Sequence, residues 1–102
     1  MPIGSVSPFR PTGTVSIAAS AVSSNTRLTG GGDTVVVTNT SGALGYIRFG
    51  SDSSVTATTT DMPILPGTHL TLSVNSLITH AAAITPSGSG TILFSRGDGS
   101  IL

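Results

Sequence analysis

Apolar and polar residues alternate along this chain in short stretches and nowhere recur with the helical period over a useful length. Val15 and Ile17 alternate with Thr14 and Ser16, Ile47 and Phe49 with Tyr46 and Arg48, and Leu70, Leu72 and Val74 with Thr71 and Ser73. A side-chain period of two marks a half-buried β-strand, with one face on a core and the other toward solvent or a neighbour. The pattern is densest from Asp33 to Gly50, where a Val-rich run ending in Asn39 and the run Tyr46-Ile-Arg-Phe-Gly50 flank a link of small residues. Two such runs around a short link read as an antiparallel hairpin, with Val35 and Val37 on one face and Thr34, Val36 and Thr38 on the other. A lone hairpin is marginal in water, so further strands must cover its apolar side.

Those strands are predicted at Thr14 to Ala18, more weakly at Ser23 to Leu28, then at His69 to Val74, Ile78 to Thr85 and Thr91 to Ser95. Between them, Thr29-Gly-Gly-Gly-Asp33 reads as a turn and Ser51 to Thr60 as an exposed loop or edge strand. Pro66-Gly67 suits the central positions of a type II turn, where Pro sets φ and Gly accepts the positive φ that follows. Turn signals about every 8–12 residues are the spacing of an antiparallel sandwich or barrel. The expected fold is therefore all-β: a jelly-roll-like sandwich or barrel of about seven to nine short strands, with almost no helix. Its core is expected to include Val15, Ile17, Leu28, Val35, Val37, Ile47, Phe49, Leu70, Leu72, Ile92 and Phe94.

Composition changes the picture at the surface. The chain has 102 residues, enough for one domain that buries roughly 65% of the surface its unfolded form exposes. Only 8% of residues are charged, with neither Lys nor Glu, so Ser and Thr must supply the polar coat. Such a coat gives little charge repulsion between copies, which suits a protein that works packed against neighbours. A Ser/Thr-rich surface selected for other reasons is the competing reading. Four Arg balance four Asp, which leaves no basic field for a phosphate backbone and argues against nucleic acid as a partner. Cysteine is absent, so disulfides and thiolate metal sites are excluded. The first ten residues lack the basic and apolar regions of a secretory signal, and every apolar run is too short for a membrane-spanning helix, so no membrane association is expected.

Residues Met1 to Gly13 contain Pro2, Pro8 and Pro11 and read as an extended arm preceding a β-domain from Thr14 onward. It is either an idle terminus or a segment that docks on a partner chain through Val6 and Phe9, which fall on one side of a polyproline helix. Tyr46 and Arg48, opposite Ile47 and Phe49, are the other candidate contact residues, because both types combine contact area with directed hydrogen bonds. An ordinary exposed strand face accounts for them equally well. Arg96-Gly97-Asp98 spells an integrin-type tripeptide, but its glycines read better as the end of the last strand, with Asp98 in a turn. His69 and His80, lacking Cys or Glu partners, read as polar strand-end or interface residues with no metal implied. A nucleophile elbow is missing, and the carboxylates, Asp33, Asp52, Asp61 and Asp98, each stand beside a turn-like stretch. The expectation is a non-enzyme without a cofactor.

Gly-Gly-Asp33-Thr-Val-Val-Val-Thr-Asn39, Tyr46-Ile-Arg-Phe-Gly50, Asp61-Met-Pro-Ile-Leu-Pro-Gly67 and Thr91-Ile-Leu-Phe-Ser-Arg-Gly97, taken in order, resemble a family of short all-β proteins from structural gene clusters of tailed phages and prophages. The resemblance runs from about Thr14 to Gly99 and carries fold features but no catalytic residues. It implies a virion structural protein made in the bacterial host cytoplasm, of the capsid decoration, cement or head-fibre kind. Its partners would be other virion proteins and copies of itself. A carbohydrate- or receptor-binding module of a phage fibre is the alternative, although a chain with no Trp and one Tyr offers few aromatic platforms.

Overall fold

The computed structural model describes residues 10–75 and 77–99. Eight strands follow one another: β1 (Arg10–Ala19), β2 (Ser24–Arg27), β3 (Thr34–Asn39), β4 (Gly45–Gly50), β5 (Met62–Ile64), β6 (His69–Ser73), β7 (His80–Ile84) and β8 (Gly90–Asp98). They form two antiparallel four-stranded sheets, ordered β1-β8-β3-β6 and β2-β7-β4-β5, with no helix among the described residues. Each odd strand of the first half thus faces its successor across the sandwich, and the order is that of a double-sheet jelly roll. The described residues form the expected all-β sandwich, with a strand count inside the expected seven to nine.

The core lies between the sheets. Ile17, Leu28, Val35, Val37, Ile47, Ile92 and Phe94 are buried, and Val15, Phe49, Leu70 and Leu72 pack against them half-buried, so every residue assigned to the core by alternation belongs to it. The rings of Phe49 and Phe94 meet edge to face across the sandwich, 6.1 Å apart at 82°. Phe49 stands beside Ala81 in register and Ile47 beside Ala83, so small residues on the central strand β7 leave room for large ones on β4.

Asp33 to Gly50 is not a hairpin. β3 lies between β8 and β6 in one sheet, β4 between β7 and β5 in the other, and the link between them arches from sheet to sheet. Asn39 sets this arch. Its fully buried side chain donates from Nδ2 to the carbonyls of Ala43 (2.9 Å) and Ile64 (3.0 Å), while Oδ1 accepts from the N–H and hydroxyl of Ser41. The amide's full hydrogen-bonding capacity is used, and the link is held in a conformation that turns away from β3.

Two further boundaries differ from expectation. β1 begins at Arg10, so residues 10–13, read as part of the arm, pair with Asp98, Gly97 and Arg96 of their own domain's sheet. Pro11 is tolerated because β1 is an edge strand with a bulge between Pro11 and Gly13, where a missing N–H costs little. β8 likewise runs through Arg96 and Gly97 to Asp98, which places the tripeptide in a strand instead of a turn. The β5–β6 turn does follow expectation: Gly67 has φ 74° and Thr68 N–H donates to the Leu65 carbonyl, the type II arrangement.

Candidate functional site

The outer face of the second sheet carries the candidate contact residues. Strand alternation buries Ile47 and turns its neighbours outward, so Tyr46, half-buried, and Arg48, exposed, share this face. Tyr46 lies in register with Ile84 of β7 and Pro63 of β5, and Arg48 with Ala82. Arg48 Nε is 3.7 Å from Asp61 Oδ1, the single ion pair among the described residues. Asp61 also accepts from the Thr58 N–H at 2.7 Å, so one carboxylate closes its loop and steadies the guanidinium.

Part of this face is covered by the chain itself. Residues 51–61 leave β4, cross the sheet to β2 and return to β5. Asn25 Nδ2 donates to the carbonyls of Ser53 (3.1 Å) and Val55 (3.3 Å), and the Ala57 N–H donates to Ser23 Oγ at 2.8 Å. Val55 packs over Gly50, where a Cβ would collide with it, and Ala82 is fully buried although it belongs to the outer face. Within this strap the Ser54 hydroxyl and N–H both donate to Asp52 and hold its carboxyl below the ordinary value.

The strap leaves an apolar strip open. Leu44 and Leu65 continue the register one step past the Gly45–Ile64 pair, which puts them on the face of Tyr46 and Pro63. Leu65 is 62% exposed and Leu44 37%. No charged residue lies in the strip itself, and Arg48 stands at its margin. Alternation pointed to Tyr46 and Arg48, but Leu44 and Leu65 escaped it because both were read as loop residues. Val6 and Phe9, the other candidate anchors, lie outside the described residues.

At the opposite end of the sandwich a cleft of about 450 Å³ is lined by Arg27, the Gly30–Gly32 loop, Asp33, Arg96 and Asp98. It gathers half of the chain's charged side chains. Its buried member is Arg96, whose Nε donates to the Gly32 carbonyl at 3.0 Å and whose terminal nitrogens donate to the carbonyls of Ile78 and Asn75. This guanidinium ties the β2–β3 and β6–β7 loops to β8, so the arginine of the tripeptide is a structural strut and is not presented to a receptor. His69 begins β6 at the surface, and His80 begins β7 half-buried, its Nδ1 2.8 Å from Thr79 Oγ1. Both imidazoles are strand-end residues, on different sheets.

No family model, curated protein or solved structure matches this chain.

Proposed function

We propose that this chain is a non-enzymatic structural protein that works packed against other proteins. With the resemblance of its strand motifs, we assign it to the minor virion components of tailed phages, of the decoration, cement or head-fibre kind. The observation that carries the reading is the open apolar strip of Leu44, Tyr46, Pro63 and Leu65, bordered by Arg48, on a surface otherwise composed mainly of hydroxyls and small residues. Apolar patches that remain exposed on a small domain mark contact sites, and Tyr and Arg are the residue types favoured at their centres. The jelly roll is also an architecture of viral capsid domains; that support is analogy of fold alone.

In this reading the strip and the arm form two ends of an assembly contact, with Val6 and Phe9 inserted on a neighbouring protein. Particles made by cells carrying the gene, purified with and without it, test the proposal. The protein is expected to band with the particles at a fixed ratio, and replacing Leu65 and Tyr46 together by Ser is expected to release it. A chain lacking residues 1–9 is expected to fold and to incorporate poorly. The cut has to stop there, because Thr12 Oγ1 donates to the Gly31 carbonyl at 2.6 Å and accepts from its N–H at 3.0 Å, closing one end of the sandwich. A protein that remains entirely in the soluble fraction while particles form without it would show the reading to be wrong.

A further inference from the structure

Four strands lie at sheet edges, and three of them carry a device that discourages pairing. β1 has Pro11 and a bulge, β2 is four residues long and ends on Arg27, and β5 is three residues long with Pro63 at its centre. β6 has none of these: His-Leu-Thr-Leu-Ser is a regular five-residue strand with neither Pro nor a charged carboxylate, Lys or Arg, and its register with β3 is unbroken. A regular edge without protection is a template for another strand.

The direction of its free backbone groups follows from the ladder. Val74 N–H donates to the Asp33 carbonyl and Asn39 N–H to that of Thr68, both at 2.9 Å, so the bonded pairs between them are Val35 with Leu72 and Val37 with Leu70. His69, Thr71 and Ser73 therefore direct their N–H and C=O groups to the open side, where no described residue meets them.

We infer that β6 is the seam of a two-fold dimer, in which the β6 strands of two copies pair antiparallel about an axis at Thr71. That axis sets Thr71 opposite itself and His69 opposite Ser73, so every outward N–H meets an outward C=O and about six backbone hydrogen bonds join the sheets. Half-buried Leu70 comes opposite the partner's Leu72 on the core side, and no carboxylate, Lys or Arg of the strand stands at the axis. Met62, on β5 along the same margin, is 49% exposed although it lies in register with core residue Ile47, and a second copy would cover it. Another copy of this chain is the occupant the seam fits, because the two-fold opposes no carboxylate, Lys or Arg and sets leucine against leucine. The dimer goes beyond the assembly reading and is a property of the isolated protein, so either can fail alone.

Sedimentation equilibrium of the full chain tests this, with Thr71→Glu and Thr71→Lys as the variants. Thr71 is exposed, so both are expected to keep the native circular dichroism and, at dilutions where every form is monomeric, a near-native thermal midpoint. The native chain is expected to dimerise. Each variant alone places like charges across the axis and is expected to dimerise about fivefold more weakly, whereas an equal mixture recovers native affinity as the Glu–Lys heterodimer. Thr71→Pro, which removes an outward N–H without touching a bond to β3, is expected to abolish the dimer. A native chain that stays monomeric, a mixture no tighter than its components, or a Thr71→Pro dimer of native affinity would each overturn the inference.

Discussion

Asn39 offers the sharpest test of how this fold is specified. Replacing it by Ala removes an amide that is fully buried and hydrogen-bonded at every position. The Ser41 hydroxyl retains a partner, since it lies 3.0 Å from the Ala43 carbonyl and can donate there. The Ile64 carbonyl keeps the Gly45 N–H opposite it in the β4–β5 ladder, whereas the Ser41 N–H retains no partner, and an orphaned group in a dry site costs about 1–3 kcal/mol. With the small cavity added, the expected loss is about 2–4 kcal/mol, a large part of the roughly 5–15 kcal/mol that holds a domain of this size folded.

Urea unfolding followed by far-UV circular dichroism and by the fluorescence of Tyr46, the sole Tyr in a chain without Trp, measures the loss. Asn39→Asp separates hydrogen bonding from volume. It keeps the acceptors for Ser41 but loses both donors and sets a carboxylate against two carbonyl oxygens. Burial and those carbonyls raise the pKa of the new group in the folded state, so its destabilisation is complete above that pKa. The deficit shrinks as the pH falls through it toward the ordinary carboxylate value of about 4, where a proton restores one donor. An Asn39→Ala loss below about 1 kcal/mol, or an Asp variant as stable as the native chain at neutral pH, would refute the claim that this side chain sets the arch.

Four other outcomes are expected. Phe94→Ala should cost about 3–5 kcal/mol, and a double-mutant cycle with Phe49→Ala should show about 0.5–1.5 kcal/mol of coupling; additive losses would mean that the edge-to-face contact contributes nothing. Arg96→Lys should lose about 2–4 kcal/mol, because a single ammonium cannot serve three carbonyls lying in different directions; a loss under about 1 would remove Arg96 from its role as a strut. The Asp52 carboxyl, titrated by NMR, should fall below 3.8, and Ser54→Ala should raise it. Its stabilising contribution is present above the unfolded-state pKa and disappears as the pH drops through the folded-state one, so an unchanged titration in the variant would contradict the capping bond. Arg48→Ser should alter stability by no more than about 1 kcal/mol, since its ion pair with Asp61 is solvent-exposed on the arginine side; a larger loss would mean that Arg48 supports the sheet.

Alternation found the strands and the core because a period of two reports which side of a strand is buried. It does not report which strands pair, and the mistaken hairpin at Asp33 to Gly50 came from that gap. Proximity in sequence favoured pairing β3 with β4, whereas the buried amide of Asn39 turns the chain into the other sheet. Ile64 escaped the core assignment because Pro63 and Pro66 made its segment look like a turn, yet β5 is an edge strand, where Pro is admissible. Arg96 was unreadable for a different reason: a buried guanidinium satisfied only by carbonyls from distant loops leaves no local signature. Of the candidate contact surface, Tyr46 and Arg48 were legible from alternation, whereas Leu44 and Leu65 needed the β4–β5 register.

The placement of charge constrains how this protein can associate. Arg96 is committed to carbonyls, Arg48 to Asp61, Asp52 to the strap, and Asp33 accepts from the Thr34 hydroxyl. Most of an already small complement of charge therefore works inside the fold, and the apolar strip and the β6 edge contain neither carboxylate, Lys nor Arg at their centres. Contacts made there draw on apolar area and backbone hydrogen bonds, neither of which is screened by salt, and apolar burial gives a negative heat-capacity change. A surface designed for electrostatic steering would behave in the opposite way, losing association rate steeply as ionic strength rises. Near-neutral partners at high local concentration need no long-range steering, and this distribution of residues suits contacts of that kind.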